Sequence, residues 1–349
     1  MRLEPVAAPS ALASLLYPAA AVVIAFAVSA LLVLAAGAEP LDVFVLVARG
    51  AGGSQFALFE TLTRATPLIF TGLAVAVAFR ARLWNIGAEA QLYAGAIITV
   101  VLGTGALPLP AFVLLPLLVV ATIVAGALLL LGPAILKTRF GVDEVVTTLL
   151  FNFIMLLFVS MLLEGVLKDP TGLGWPQSQK LIAEARLPRI VTGRRLHYGF
   201  VLALLSALAV WIVMKKTALG FEMRAVGHNP EAARFAGIPV NRVLIKTALL
   251  SGGLAALAGF SEVSGLKGNL TLDLSPGFGY SGIVVAMLAL LNPLGVVVAA
   301  IFVAAIFVGA DAMSRTAGVP SYIADVMVAL SLLTMVVAIM LTRYRLRWR

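Results

Sequence analysis

The chain has 349 residues, 62% of them hydrophobic and 12% charged, with a formal net charge of +9. A soluble domain is nearer half apolar and a quarter charged, so this composition excludes an ordinary soluble globule and points to a polytopic membrane protein. With no cysteine and only two histidines, His197 and His228, a disulfide framework, a thiolate metal site and an HExxH spacing are excluded, and the positive charge reads as Lys/Arg-rich cytoplasmic loops rather than a nucleic-acid surface.

Apolar runs predict an all-α fold of about ten transmembrane helices, at 16–36, 60–79, 88–105, 111–131, 145–167, 198–214, 245–265, 279–291, 294–310 and 322–342. The first follows Arg2 and precedes LAAGAEP, a faint cleavage signal. Its run of about 20 residues is longer than the roughly 7–15 of a signal peptide, which favours an uncleaved helix.

At the entry to the third span lies WNIGAEAQLY, residues 84–93. A carboxylate in hydrocarbon is costly, so Glu89 has two readings. It faces a cavity with Asn85 and Gln91, along a substrate pathway, or it caps its helix and pairs with Arg80 or Arg82 at the cytoplasmic edge. Asn85 and Gly87 can interrupt the helix and free backbone groups for a polar ligand. The charge pattern places this motif near the inside face; a re-entrant pair would carry it deeper.

Asn152, within TTLLFNFIM, is a mid-span amide that either bonds a neighbouring helix or lines the pathway. Thr147 and Thr148 are expected to bond their own helix. Residues 168–197 form a long extracytoplasmic loop. It carries six basic residues, Lys168, Lys180, Arg186, Arg189, Arg194 and Arg195.

The loop 219–240 carries most of the local polarity. Asn229 is a good N-cap, Pro230 suits the first helical position, and Glu231 suits the positive helix end. Gly237 is a natural left-handed stop and Pro239 prevents continuation. The result is an autonomous helix of about two turns. It is either an amphipathic helix on the membrane surface or a docking helix for a cytoplasmic partner. In the second reading Phe235 and Ile238 are apolar anchors and Arg224 and Arg234 polar contacts.

Directly after it, SGGLAALAG spaces Ser251, Ala255 and Gly259 four apart, a small-residue face for close helix packing. Glu262 and Asp325 are expected at solvated outer helix ends. Asn292-Pro293 divides 279–310 into two spans or a broken helix lining a cavity. Trp84, Tyr93, Trp175, Phe278 and Tyr280 could stack on a ring-bearing ligand, or anchor at the interface. The tail RYRLRWR and the 215–246 stretch are both basic and therefore cytoplasmic. An even number of crossings must separate them, which counts 279–310 as two and puts both termini inside.

Here a resemblance becomes specific. EAARFAG, residues 231–237, resembles the EAA-x-x-x-G start of the coupling loop in bacterial ABC importer permeases. Residues 217–259 resemble the branched-chain amino acid and simple-sugar permease superfamily. FRARLWNIGAEAQLYAGA (79–96) and RFGVDEVVTTLLFNFI (139–154) are similar to nucleoside-type permeases that work with basic-membrane-protein (BMP) family lipoproteins. The I-x-LP element of the older EAA pattern is not at its usual distance, since Ile238-Pro239 follows the glycine directly. The resemblance implies a type II-like permease in the bacterial cytoplasmic (inner) membrane, importing a nucleoside-like solute by alternating access. A simple sugar or nucleobase is the alternative cargo.

It also implies the partners: ATPase domains, often two fused in one polypeptide, a second paralogous permease, and a substrate-binding lipoprotein or periplasmic protein. The coupling residues it implies are Arg224, Asn229, Glu231, Ala232, Ala233, Phe235 and Gly237. The pathway candidates are Asn85, Glu89, Gln91, Asn152, Phe278 and Tyr280. No catalytic residue, metal or cofactor is expected, and the chain has no GxxxxGK[ST], so ATP would be hydrolysed on another subunit. An ion-coupled secondary transporter would want a titratable pair mid-membrane, and a membrane enzyme a cluster at one interface.

Overall fold

The computed structural model describes residues 2–5, 11–35, 37, 39–317, 344–347 and a few single positions between 322 and 337. Most of the expected span 322–342, with Asp325, and Arg343 and Arg349 of the tail therefore lie outside the described residues.

Twelve α-helices are described: α1 Ala11–Ala35, α2 Pro40–Gly52, α3 Gln55–Arg80, α4 Ala88–Gly103, α5 Ala111–Phe140, α6 Glu144–Glu164, α7 Gly199–Lys216, α8 Ala218–His228, α9 Pro230–Phe235, α10 Val240–Phe260, α11 Phe278–Leu288 and α12 Pro293–Ala317. A π-helical turn, Ser261–Lys267, prolongs α10. Strands β1 (Arg2–Pro5) and β2 (Tyr344–Arg347) pair antiparallel.

Among the described residues six of the expected spans are long and apolar enough to cross a membrane: α3, α5, α6, α7, α10 with its π turn, and α12. A seventh is a bent pair, 26–35 with Pro40–Gly52, turned by 114°. The chain is an all-α, multi-pass membrane protein. Of the other expected spans, 16–36 enters that bent pair, 322–342 falls largely outside the described residues, and the remaining two are α4 and α11, of 16 and 11 residues. At 1.5 Å per residue α11 is only about 16 Å long, half of the roughly 30 Å that hydrocarbon requires.

Backbone contacts divide the chain into residues 1–61 with 302–349, and residues 62–301. In the first unit the close approach of α2 to α12 requires glycine. A Cβ on Gly309 would overlap the Val47 carbonyl, and one on Gly50 the Ala312 side chain.

In the second unit α10 is central, with 78% of its most apolar window buried, whereas α6 buries 22% and turns its remaining side chains to the surroundings. The small residues of α10 explain this position. Ser251, Ala255 and Gly259 are all buried, as their spacing predicts. A Cβ on Gly259 would overlap the Leu92 carbonyl of α4. Gly252 and Gly126 of α5 each leave room only for the other's carbonyl. Three helices thus meet at backbone distance, a packing that branched side chains would forbid.

Residues 165–198 are tied across one end of the second unit. Ile182 N–H donates to the Gly103 carbonyl at 3.0 Å and Leu181 N–H to Gly268 at 2.8 Å. His197 is fully buried there, its ring packed against Gly199 and Gly265. Its Nδ1 accepts from Gly199 N–H at 3.1 Å, and burial pushes its pKa down to about 4. Trp175 lies in this segment and is 74% exposed.

Glu262 is a correction. Instead of a solvated helix end it is buried in the π turn, within the fields of Arg64, Lys267 and Arg195.

Candidate functional site

At the end opposite residues 165–198, α8 and α9 form a two-helix loop. Thr217 caps α8 through its Oγ1, which accepts from Gly220 N–H at 3.3 Å. Asn229 caps α9, its Oδ1 accepting from Glu231 and Ala232 N–H, both at 3.0 Å. Gly237 has φ +83. Ile238 N–H then reaches back to the Ala233 carbonyl and Gly237 N–H to Arg234, both at 3.0 Å, closing a Schellman-type end.

Local sequence dictates all of this, and it leaves Phe235 98% exposed. Glu231, Ala232 and Arg234 are exposed beside it, while Ala233 is buried beneath. Arg224 turns inward and donates to the Met214 carbonyl. A Cβ on Gly227 would overlap the Arg80 carbonyl, so α8 rests directly on the end of α3.

The second cluster surrounds residues 84–91. α3 ends in another Schellman-type closure, Leu83 N–H to the Ala78 carbonyl and Arg82 N–H to Phe79, with Arg82 at φ 53 where glycine is usual. The chain then runs back into the bundle. Asn85 and Gln91 form a reciprocal amide pair, both bonds 2.9 Å. Asn85 also donates to Ser251 Oγ (3.0 Å) and accepts from Gly87 N–H (3.0 Å). Ser251 in turn donates to the Ala74 carbonyl at 2.8 Å.

From α6, Glu144 Oε1 accepts from Trp84 N–H at 3.1 Å and pairs with Lys137. Thr148 Oγ1 accepts from Ile86 N–H at 3.2 Å while donating to its own helix at Glu144. Asn152 Oδ1 accepts from Ala90 N–H at 2.9 Å. Its Nδ2 donates to the Ile86 carbonyl (3.0 Å) and to the Tyr280 hydroxyl (3.1 Å).

α11 closes the cluster. Gly279 N–H donates to Glu89 Oε2 at 2.6 Å, and the nearby Ser275 hydroxyl caps the start of α11, accepting from Phe278 N–H at 2.9 Å. Thr71 Oγ1 donates to the Phe278 carbonyl at 3.0 Å. Tyr93 donates to the Leu272 carbonyl at 2.7 Å.

These contacts correct the expected depth. Glu89 is bound beside Gly279, at the level of Thr71, nine residues up α3 from Arg80. That is about 13 Å from the α8–α9 end. Glu89 therefore meets a helix N-terminus half-way up the bundle, not Arg80 or Arg82 at its edge. The Asn292-Pro293 break is likewise resolved. Gly268 lies by Leu181 and Leu291 by Arg80, so 268–291 joins opposite ends of the bundle as a loop plus one short helix.

All six pathway candidates come together. Asn85, Glu89, Gln91, Asn152 and Phe278 are buried, whereas Tyr280 is 39% exposed. Asn85 and Asn152 have both amide groups engaged by protein partners. The aromatic candidates do not form one stack: Trp84 lies edge-on to Phe79 at 4.7 Å, and Phe278 lies under Arg64 at 5.8 Å. Sequence reasoning missed Glu144, Thr148 as an acceptor, and Ser275. The Asp143 cap and the acid following it were the available signal.

Residues 57–342 match the family described as the branched-chain amino acid transport system / permease component. The chain belongs to this family of ABC importer permeases. The permease is 36% identical over 338 residues to the glucose ABC transporter permease protein TsgB13 of Haloferax volcanii, covering 94% of this chain and 88% of that one. It is 36% identical to the guanosine ABC transporter permease protein NupP of Bacillus subtilis, covering 92% and 93%. It is 33% identical to the nucleoside ABC transporter permease protein NupB of Lactococcus lactis, covering 90% and 88%. An ABC importer permease works with an ATPase and a substrate-binding protein, and each group described above falls inside the matched region.

Proposed function

We propose that this permease imports a nucleoside-like solute by alternating access, driven by ATP hydrolysed on a separate subunit that docks on α8–α9. The carrying observation is Phe235, 98% exposed on a six-residue helix capped at both ends. A large apolar side chain held rigidly in that exposure fits insertion into a partner's groove. Glu231, Ala232 and Phe235 present the contact. Asn229 and Gly237 shape it, and Ala233 and Arg224 support it from beneath.

In this reading 219–240 is the cytoplasmic coupling loop and 168–197 the extracytoplasmic loop of a single type II-like permease domain. The membrane is the bacterial cytoplasmic one, with both termini inside. α4 and 268–291 are short crossings that bring the count to about ten. The remaining partners are a second paralogous permease, two ATPase domains fused in one polypeptide, and a substrate-binding lipoprotein of the BMP family. Within the pathway Tyr280 faces the solute, and Asn85, Glu89, Gln91, Asn152 and Phe278 hold the break that presents it. The guanosine and nucleoside relatives support the cargo. The glucose relative, at equal identity, supports a sugar as the second reading.

The test is reconstitution with the partner subunits and ATP. Phe235→Ser is expected to insert normally and to weaken ATPase association roughly tenfold or more, as loss of a central aromatic anchor does. Unchanged association and uptake would refute the docking surface. Labelled guanosine taken up in preference to glucose supports the first cargo, and the reverse preference supports the second.

A further inference from the structure

We propose that Arg80 is a positioning residue, carrying movement of the α8–α9 loop to α11 and through it to the polar break at 84–91. The inference rests on the docking of α8–α9 described above.

Two independent contacts meet at Arg80. Its backbone carbonyl is the surface on which Gly227 of α8 rests, with no space for a methyl group between them. Its side chain crosses to another element, Nη2 donating to the Leu291 carbonyl at 3.3 Å. That carbonyl belongs to an unusual turn. Leu290 and Leu291 both have positive φ, 51° and 58°, a region that branched side chains rarely adopt. The turn closes α11 through Leu291 N–H to the Ala286 carbonyl and Leu290 N–H to Met287. Strained backbone of this kind persists only where its surroundings hold it, and it gathers at switching positions.

α11 then runs as a short rod from this turn to the break. Its first residues touch the cluster at three points: Gly279 N–H on Glu89, the Phe278 carbonyl on Thr71, and the Tyr280 hydroxyl on Asn152. A left-handed residue bounds each end, Gly277 at φ 88 and Leu290. The rod therefore moves as a body rather than unwinding into its neighbours.

The grip of Arg80 is also not a fully satisfied one. Its Nε is buried without a partner among the described residues, and the like charge of Arg224 lies within its field. A small shift of α8 changes both the carbonyl contact and that repulsion, so the guanidinium is placed to release or hold the Leu291 turn.

The experiment uses the complete importer in proteoliposomes. The chain has no cysteine, so Leu290→Cys, at a site 56% exposed, gives a single thiol in this subunit. Maleimide labelling of that thiol is timed without nucleotide and after trapping with ATP and vanadate. With Arg80 intact, trapping is expected to change the rate roughly tenfold, the scale of a typical coupling between sites. Arg80→Met, which keeps the stem, is expected to retain the ATPase through purification, lose the nucleotide response, and transport roughly tenfold less solute per ATP. Arg80→Lys, which can still donate to the carbonyl, is expected to restore part of both. A merely structural arginine would change stability without separating hydrolysis from transport. An unchanged nucleotide response and unchanged transport per ATP in Arg80→Met overturn the relay while leaving the docking reading intact. Loss of the ATPase from Arg80→Met overturns it also, by placing Arg80 in docking itself. Failure of the unmutated chain to retain an ATPase overturns both.

Discussion

Replacing Asn85 by leucine tests whether the polar break is held by the Asn85–Gln91 pair. Leucine is close to isosteric, so packing is nearly conserved and the loss is polar. Three buried groups lose their partner: Gln91 Oε1, Gln91 Nε2 and the Gly87 N–H. Ser251 loses its donor but keeps its own bond to Ala74. A stranded buried group costs about 1–3 kcal/mol in soluble proteins, whereas hydrogen bonds between membrane helices average nearer 0.6 kcal/mol. At about 1 kcal/mol for each of three groups, Asn85→Leu is expected to destabilise by about 3 kcal/mol. The assay is reversible unfolding in mixed micelles, followed for Asn85→Leu, Gln91→Leu and the double variant. The double variant removes both halves of the amide pair and leaves only Gly87 N–H stranded. It is therefore expected to be less destabilised than the sum of the singles by about 1–2 kcal/mol. Additive singles, or a cost for Asn85→Leu within about 0.5 kcal/mol of zero, would refute the reasoning.

Gly252→Ala places a Cβ against the Gly126 carbonyl and is expected to cost about 1–3 kcal/mol in the same unfolding assay, with Gly126→Ala equivalent and the pair non-additive. His197 gives a pH signature. Its folded pKa of about 4 lies below the ordinary 6.5, so the unfolded chain binds the proton more readily. Stability is then full above about pH 6.5 and falls as the pH drops from there toward 4, by up to about 3 kcal/mol. Melting temperatures across that window are expected to decline in the native chain and to flatten in His197→Gln.

The parts that local chemistry determines were legible in the residues. The ends of α9 follow from Asn229, Pro230 and Gly237 because a cap or a left-handed stop needs only a few neighbouring residues. The small face of α10 was legible for a similar reason, since close packing leaves a spacing. The depth of WNIGAEAQLY was not. Depth depends on where Glu89 finds a donor, and Gly279 lies 190 residues away. Leu290 and Leu291 gave no sign of their left-handed backbone, because leucine does not favour it alone and the side chain that meets the turn, Arg80, lies 211 residues away from Leu291. The burial of Glu262 was hidden likewise, since two of the three cations around it, Arg64 and Arg195, come from distant segments. The shortness of α4 and α11 was not legible either, because apolar composition reports on surroundings, not on how far a helix runs through the thickness.

The contacts around the break differ in kind, and the difference indicates which one opens. α10 and α11 meet it at backbone distance: Gly259 on Leu92, Gly279 on Glu89, Gly282 on Thr71. Such interfaces switch as bodies and do not stretch. α6 meets it chiefly through side-chain hydrogen bonds, Glu144 to Trp84, Thr148 to Ile86, and Asn152 to Ala90 and Tyr280. Its backbone approach is looser, the Thr148 carbonyl lying 3.0 Å from a Cβ on Gly87 where the Gly259 and Gly279 contacts would be 1.9 and 2.2 Å. Each of these hydrogen bonds can exchange for water at modest cost, and α6 is the least buried of the six long helices. Alternating access should therefore part α6 from the α3–α4–α10–α11 cluster, beginning where Tyr280 is already 39% exposed. The expected outcome is specific. With Asn152→Cys and Tyr280→Cys in the otherwise cysteine-free chain, a short bifunctional thiol reagent should arrest uptake while the ATPase stays bound. Tyr280→Cys alone with the same reagent should lose far less. Undiminished uptake in the cross-linked pair would show that the pathway opens elsewhere, and the hydrogen bonds of α6 would then be fixed architecture like the glycine contacts of α10.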